Sequence, residues 1–394
     1  MSRRGKGEGS ITKRNDGTWQ ASIQIGITDS GKPKRKYYYG KTRKEVQEKL
    51  SKAVHEVNQG TFKEPSKLTV GEWLDTWINE YMKNNIRSTT WESYEAQIRV
   101  HIKPEIGKVK LSQLQTKHIQ ALLNAKFEGG RHDGKEGGLS NRSIKYIHTV
   151  LHSALEQALK ENMLIVNPCN AVKMPKKDEE KKIKYLTIEQ VRIFLEYAKE
   201  SRFYSAYILA LNTGLRRGEI LGLKWDCIDF EKATLSVREN AVITKDGIKL
   251  SKPKTKSSIR TIPIPQSALK ELKRHQIKQL EYKKFQMRGA YEEHELVFPN
   301  EFGRLMDPHN FARNFEGIMK RIKKENKDFP DITLHCLRHT FATLSLESGI
   351  PAKTIQEILG HSTISMTLDL YSHVTEKMKF EASEKINQIY ENCM

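Results

Sequence analysis

Two histidines and an arginine occupy five consecutive positions in HCLRHT, residues 335–340. On a helix, His335, Arg338 and His339 fall at i, i+3 and i+4 and project from one face. Nitrogen-rich side chains so arranged suit a metal ion or an anion. Two features oppose a metal. Cys336 stands where a metalloprotease helix carries its catalytic glutamate, and Arg338 sets a permanent cation beside any divalent ion. An anion fits better, because a guanidinium is a planar fork of donors matched to phosphate oxygens and imidazole can donate or move a proton near neutral pH. A second arginine stands in NTGLRRGEILGLKW, residues 212–225. Thr213 and Gly214 are expected to open a helix with Arg216 at its start, and Glu219 one turn on can hold that guanidinium; taken alone, the pair equally describes an exposed surface contact.

Charge points the same way. The 394 residues include 68 Lys plus Arg against 48 Asp plus Glu, a formal net charge of +20, which favours a polyanionic partner. Phosphoryl transfer on DNA needs what such a chain offers: cations at the non-bridging oxygens, a nucleophile, and an acid for the leaving oxygen. No run approaches eighteen apolar residues, and MSRRGKGEGS lacks the apolar core of a signal peptide, so a soluble, intracellular chain with no membrane partner is expected. Cys169, Cys227, Cys336 and Cys393 lack paired metal spacing and read as reduced thiols.

Elements must bring these residues together, and the length leaves room for two or three domains. Residues 1–60 hold 14 Lys plus Arg against 6 Asp plus Glu and read as a small three-stranded sheet plus a helix over 42–57. Lys34, Arg35, Lys36 and Tyr38 on PKRKYYYG are candidates to lie against DNA. A linker over 60–67 leads into a helical bundle, residues 68–170. There Thr69 with Glu72 and Thr89 with Glu92 are expected to cap two helices, and Trp73, Trp77 and Tyr81 form a core stripe. Ile144, Ile147, Leu151, Ala154 and Leu155 mark the inner face of a longer helix. After a second linker, 167–185, Thr187 and Gln190 cap the first helix of a domain spanning 185–394. Within it ATLSVREN, GIKLSK and SSIRTIPIP read as one three-stranded antiparallel sheet, followed by helices. The expected whole is multidomain and mainly α, with small antiparallel sheets.

TGLRRGEILGL, HCLRHTFAT and LGHSTISMTLDLYSH, in that order, resemble the three signature boxes of the tyrosine recombinases, the phage-integrase family. The likeness runs over residues 185–376. The helical segment ending in ENMLIVNPCNAVKMPK resembles the family's core-DNA-binding domain, and the first 60 residues resemble the arm-binding sheet domain of integrases from phages and conjugative transposons. The resemblance implies an α+β catalytic fold in 185–394 and a catalytic set of Arg216, Lys254, His335, Arg338, His361 and Tyr371, with Glu219 supporting the site and His339 structural. Lys252, Lys254 and Lys256 are all candidates for the β-turn lysine, and the spacing to IRTIPIP favours Lys254. The residues alone assign Tyr371 to a buried face with Ile364 and Leu368; only the resemblance makes it a nucleophile.

The resemblance further implies a site-specific recombinase of a bacterial mobile element, cutting through a 3′-phosphotyrosyl intermediate and a Holliday junction without metal, ATP or cofactor. Its partners would be core- and arm-type attachment sites, three further copies in a homotetramer, and an excision factor or host DNA-bending protein. The C-terminal tail, with Met378, Phe380, Ile386 and Ile389, would pack on a neighbouring subunit or fold on its own domain. A non-cutting regulator of the same fold is the competing reading. A complete catalytic set opposes it, since a pure binder has no use for a tyrosine among phosphate ligands.

Overall fold

The computed structural model describes residues 9–27, 32–58, 67–131, 134, 136–176, 183–252, 259–285 and 289–368, with five residues of the C-terminal tail. Lys254, Lys256, Tyr371, Met378, Phe380, Ile386, Ile389 and Cys393 lie outside the described residues. The chain divides into two compact units, Met1–Lys177 and Asp178–Met394.

In the first unit β1 (Ser10–Lys13), β2 (Trp19–Ile27) and β3 (Pro33–Gly40) form an antiparallel sheet in that order, with a bulge between Gln24 and Gly26. Alternation sends Ala21 and Ile23 inward, onto Val46, Leu50 and Ala53 of α1 (Arg43–Asn58). The same alternation divides the basic aromatic strand. Lys34, Lys36 and Tyr38 share one face, and Tyr38 packs against the core. Arg35, Tyr37 and Tyr39 share the other, where both tyrosines are exposed and the Arg14 guanidinium lies 5.3 Å from the Tyr39 ring centroid.

The bundle begins with α2 (Val70–Thr76), which widens into a π-helical turn, Trp77–Met82. Thr69 and Glu72 cap α2 reciprocally, at 3.3 Å to the Thr69 hydroxyl and 2.8 Å to the Glu72 carboxylate. The second capping expectation is corrected: α3 (Ser88–Gln97) starts one residue before Thr89, with Arg87 at its cap and no side-chain bond there. It runs through a π-helical turn, Ile98–Ile102, into α4 (Lys103–Ile106). These helices, α5 (Thr116–Gly129) and α6 (Asn141–Lys160) close on Trp73, Trp77, Ile102, Ile119 and Leu123. Ile144, Ile147, Leu151, Ala154 and Leu155 are fully buried. Trp73 and Trp77 are buried in this core with Tyr81 packed against it, and the Trp73 indole N–H donates to the Ala154 carbonyl at 2.8 Å.

The second unit opens with α7 (Ile188–Ala198), capped by Thr187 and Gln190, then α8 (Tyr204–Thr213) and α9 (Arg217–Leu221). Its sheet departs from expectation. The β4 (Ile228–Asp229), β5 (Thr234–Val237) and β8 (Arg260–Pro263) strands make one antiparallel sheet, while β6 (Asn240–Thr244) and β7 (Gly247–Ser251) form a separate hairpin. GIKLS therefore pairs with NAVIT across the two-residue turn Lys245–Asp246, the shortest closure open to it. The alternating pattern had joined it to ATLSV, which instead registers directly on β8, Leu235 opposite Ile262. The helices α10 (Gln266–Phe285), α11 (Pro308–Glu325), α12 (Cys336–Glu347), α13 (Ala352–Leu359) and α14 (Ser365–Leu368) follow. Leu235, Ile262, Phe311, Phe315 and Leu337 contribute to the main core. Cys169, Cys227 and Cys336 are free and buried. No described helix is long and apolar enough to cross a membrane.

Candidate active site

Two left-handed glycines build the site. Gly214 (φ 63°) ends α8, so Thr213 closes that helix rather than opening the next; a Cβ there would also meet Leu359 at 2.4 Å and Phe341 at 2.6 Å. Two residues on, Arg216 caps α9, its backbone N–H donating to the Glu219 carboxylate at 2.8 Å and its Nη1 to the other oxygen at 2.9 Å. Gly360 (φ 64°) ends α13 and turns the chain into His361. The last carbonyls of α13 have no partner within the helix and carry the negative end of its dipole.

Guanidiniums occupy those carbonyls. Arg338, on the first turn of α12 and 3% exposed, donates from Nη1 to Gly214 O at 2.7 Å and from Nη2 to Leu359 O at 2.8 Å. Arg216 reaches Leu359 O at 3.5 Å and Gly360 O at 3.4 Å. Arg260, at the start of β8, donates from Nε to Ile358 O. Its Nη1 and Nη2 grip Glu219 at 3.2 and 3.0 Å. Residues from α8, α9, β8, α12 and α13 thus meet at one helix terminus.

His361 Nδ1 lies 2.9 Å from Thr367 Oγ1, and the rings of His335 and His339 meet edge-on at 4.8 Å. Ile364 and Leu368 are each 43% exposed rather than buried, and Thr367 between them is the residue that turns inward, to where its hydroxyl meets His361. Lys252 is exposed beyond β7.

Arg260 escaped the sequence reading. Its signal was available, since Arg260 shares an alternating face with Ile262 and Ile264, both buried, and an arginine in register with core residues needs a buried partner.

Among the described residues three guanidiniums, Arg216 partly exposed and Arg260 and Arg338 almost covered, face one carboxylate, so positive charge is in excess. Burial, then the Arg216 charge, lowers Arg338 to about 9, leaving it cationic at neutral pH. Burial raises the Glu219 carboxyl, but hydrogen bonds and charge from Arg260 and Arg216 outweigh it and hold the group below the usual range. His361 falls to about 4, through burial and then Arg338, Arg216 and Arg260. His335 also falls to about 4, through partial burial and then His339, Arg338 and Arg216. Both imidazoles are neutral at pH 7 and free to donate one N–H to an anion. Among the described residues no cluster of three His, Cys, Asp or Glu could hold a metal ion.

This charge pattern has consequences for stability. Glu219→Gln leaves two guanidiniums without their carboxylate, and breaking a buried pair in this way costs ~3–5 kcal/mol; a thermal melt should show a large drop in midpoint, and an unchanged midpoint contradicts the buried-pair assignment. With both histidines depressed in the folded state, the unfolded chain takes up protons first as pH falls below about 6.5. Stability is therefore full above that value and lost toward about pH 4. Melting midpoints from pH 7.5 to 4.5 should decline, and less steeply in a His335→Asn/His361→Asn variant.

Residues 184–378 match the phage integrase family, and residues 69–127 its N-terminal SAM-like domain. The chain belongs to the phage integrase family, the tyrosine recombinases, which are DNA-strand-transferring enzymes. It is 33% identical over 390 residues to a XerC-like tyrosine recombinase of Caldanaerobacter subterraneus, covering 94% of this chain and 96% of that protein. It is 26% identical to the ICEBs1 integrase of Bacillus subtilis over 96% of this chain and all of that one. Among solved structures, the Tn1549 transposon integrase bound to a circular intermediate DNA matches with a TM-score of 0.68 at 24% identity, covering 81% of this chain and 99% of that one. A lambda integrase tetramer bound to a Holliday junction matches with a TM-score of 0.56 at 21% identity, over 94% and 96%.

Proposed function

We propose that this chain recombines the ends of a bacterial mobile element by cutting DNA at attachment sites and rejoining the strands to new partners. The observation that supports it most directly is the meeting of Arg216, Arg338 and His361 at the C-terminus of α13 with cationic charge in excess. Such a site is poor for a neutral ligand and apt for a phosphodiester whose oxygens gain charge in the transition state.

In the reaction Tyr371 Oη attacks the scissile phosphorus and the bond to O5′ breaks. Lys254 gives its proton to the leaving O5′, and the phenolic proton passes to a neutral imidazole, His335 or His361. Arg216 and Arg338 take the charge that grows on the non-bridging oxygens. Bond energy kept in the 3′-phosphotyrosyl link lets a 5′ hydroxyl from another strand reverse the step, with no demand for ATP or metal. Residues 68–170 hold core-type sites and residues 1–60 arm-type sites, for which the open face of Arg35, Tyr37 and Tyr39 suits a DNA backbone better than the packed Tyr38. Exchange between two duplexes needs four such sites, and the Holliday-junction tetramer of lambda integrase supports the same assembly here. An excision factor or a DNA-bending host protein would be a further partner.

The test is a nicked duplex carrying the attachment site, incubated with the wild-type chain in EDTA and run on a denaturing gel. A covalent protein–DNA adduct with a free 5′ hydroxyl on the released fragment is expected. Tight binding with no adduct supports the non-cutting regulator instead.

A further inference from the structure

Glu219 presents a difficulty for the proposed chemistry. A carboxylate bonded to Arg216 holds that guanidinium still, but it also neutralises the charge that a phosphate oxygen would use. A tight bidentate pair would hold Arg216 in place and disarm it together. The structure avoids this. Arg216 Nη1 takes one Glu219 oxygen at 2.9 Å, and the other oxygen goes to the Arg216 backbone N–H at 2.8 Å and to Arg260 at 3.0 Å. Arg260 also shares the first oxygen, at 3.2 Å.

Their burial differs in a telling way. Arg260 and Glu219 are 7% and 6% exposed at their side chains, whereas Arg216 is 36% exposed. Arg260 is thus almost closed off from solvent, while Arg216 keeps an open side for a ligand. The third donor of Arg260, Nε, holds Ile358 O, next in line to the carbonyls that Arg338 and Arg216 hold at Leu359 and Gly360. One side chain therefore ties β8 to both α9 and α13, the elements carrying Arg216 and His361.

We infer that Arg260 is a positioning residue for strand cleavage: it takes up the negative charge of Glu219, so that Glu219 can orient Arg216 without neutralising it, and it anchors the α13 terminus from which His361 projects. A guanidinium is required, because two carboxylate oxygens on one element and a carbonyl on another call for a fork with a third donor, which an ammonium cannot span. Without Arg260 the lone pairs it occupies on the two Glu219 oxygens become available to the Arg216 side chain. Arg216 then closes on the carboxylate and withdraws from the phosphate.

The inference rests on the cleavage reading above, and its test separates the two. Arg260→Met fills similar volume without charge. Single-turnover cleavage at saturating DNA should fall ten- to a hundredfold while the DNA dissociation constant stays within about twofold, and Arg260→Lys should recover part of the rate. The informative substrate carries a methylphosphonate at the scissile position, where one charged non-bridging oxygen is replaced by a neutral methyl. If Arg260 acts through the charge presented by Arg216, the penalty of Arg260→Met shrinks on this substrate to within about threefold. Equal penalties on both substrates overturn the inference and leave a purely structural residue. A readout independent of cleavage uses the DNA-free chain: the side-chain Nε–Hε NMR signal of Arg216, assigned by its loss in Arg216→Lys, should shift in Arg260→Met, and an unmoved signal overturns the inference. A wild-type chain that forms no adduct on the phosphate substrate counts against the cleavage reading alone, since the NMR arm still decides the role of Arg260.

Discussion

Tyr371→Phe is expected to abolish the covalent adduct while leaving DNA binding within about twofold of wild type. The substitution removes one oxygen and keeps the ring, so packing around the residue changes little. Chemistry changes completely, because a phenyl ring carries no lone pair with which to attack phosphorus. The measurement is the nicked-substrate assay in EDTA, paired with a filter-binding or mobility-shift titration of the same preparation. Continued formation of a DNA adduct by the variant would remove Tyr371 from the nucleophile role, and the whole proposed reaction with it.

The next largest effect belongs to Arg338→Ala. A preorganised donor aimed at developing oxyanion charge contributes ~3 to 4 kcal/mol in sites of this kind, so cleavage should slow by at least about a hundredfold. Arg338 has little other reason to carry charge where it sits. It is buried at 3% exposure, pushed down to about 9 by that burial and by Arg216, and held by two backbone carbonyls, Gly214 O and Leu359 O. Neutral carbonyls compensate a buried cation only in part, so the site stores positive potential that an incoming phosphate can satisfy. Arg338→Lys keeps a charge but cannot span both carbonyls, and should fall between alanine and wild type. Because alanine also strips donors from those carbonyls, a melting curve must accompany the rates. A folded Arg338→Ala chain that cleaves within tenfold of wild type would contradict the assignment.

Local patterns in the sequence were read correctly where the interactions are themselves local. The Thr69–Glu72 and Thr187–Gln190 boxes close within one helical turn, and the burial of Trp73, Trp77, Ile144, Ile147, Leu151, Ala154 and Leu155 follows from helical spacing alone. The Arg216–Glu219 contact spans three positions and was legible for the same reason. Where two local solutions competed, pattern was not enough. Thr89 and Glu92 have box spacing but already lie within α3, which starts at Ser88, and the strand-like run GIKLS had two candidate partners of similar alternation, between which only the short Lys245–Asp246 turn chose.

The sequence by itself determined which side chains are available: a cationic chain, paired arginine and histidine boxes, and the capped helices that carry them. The tertiary structure alone decided that the meeting place of Arg216, Arg338 and His361 is the end of α13, and that Arg260 joins them there. The reason is physical. Hydrogen bonds within a turn depend on neighbours in the chain, but a buried guanidinium takes whatever carbonyl and carboxylate the packing of distant helices brings to it.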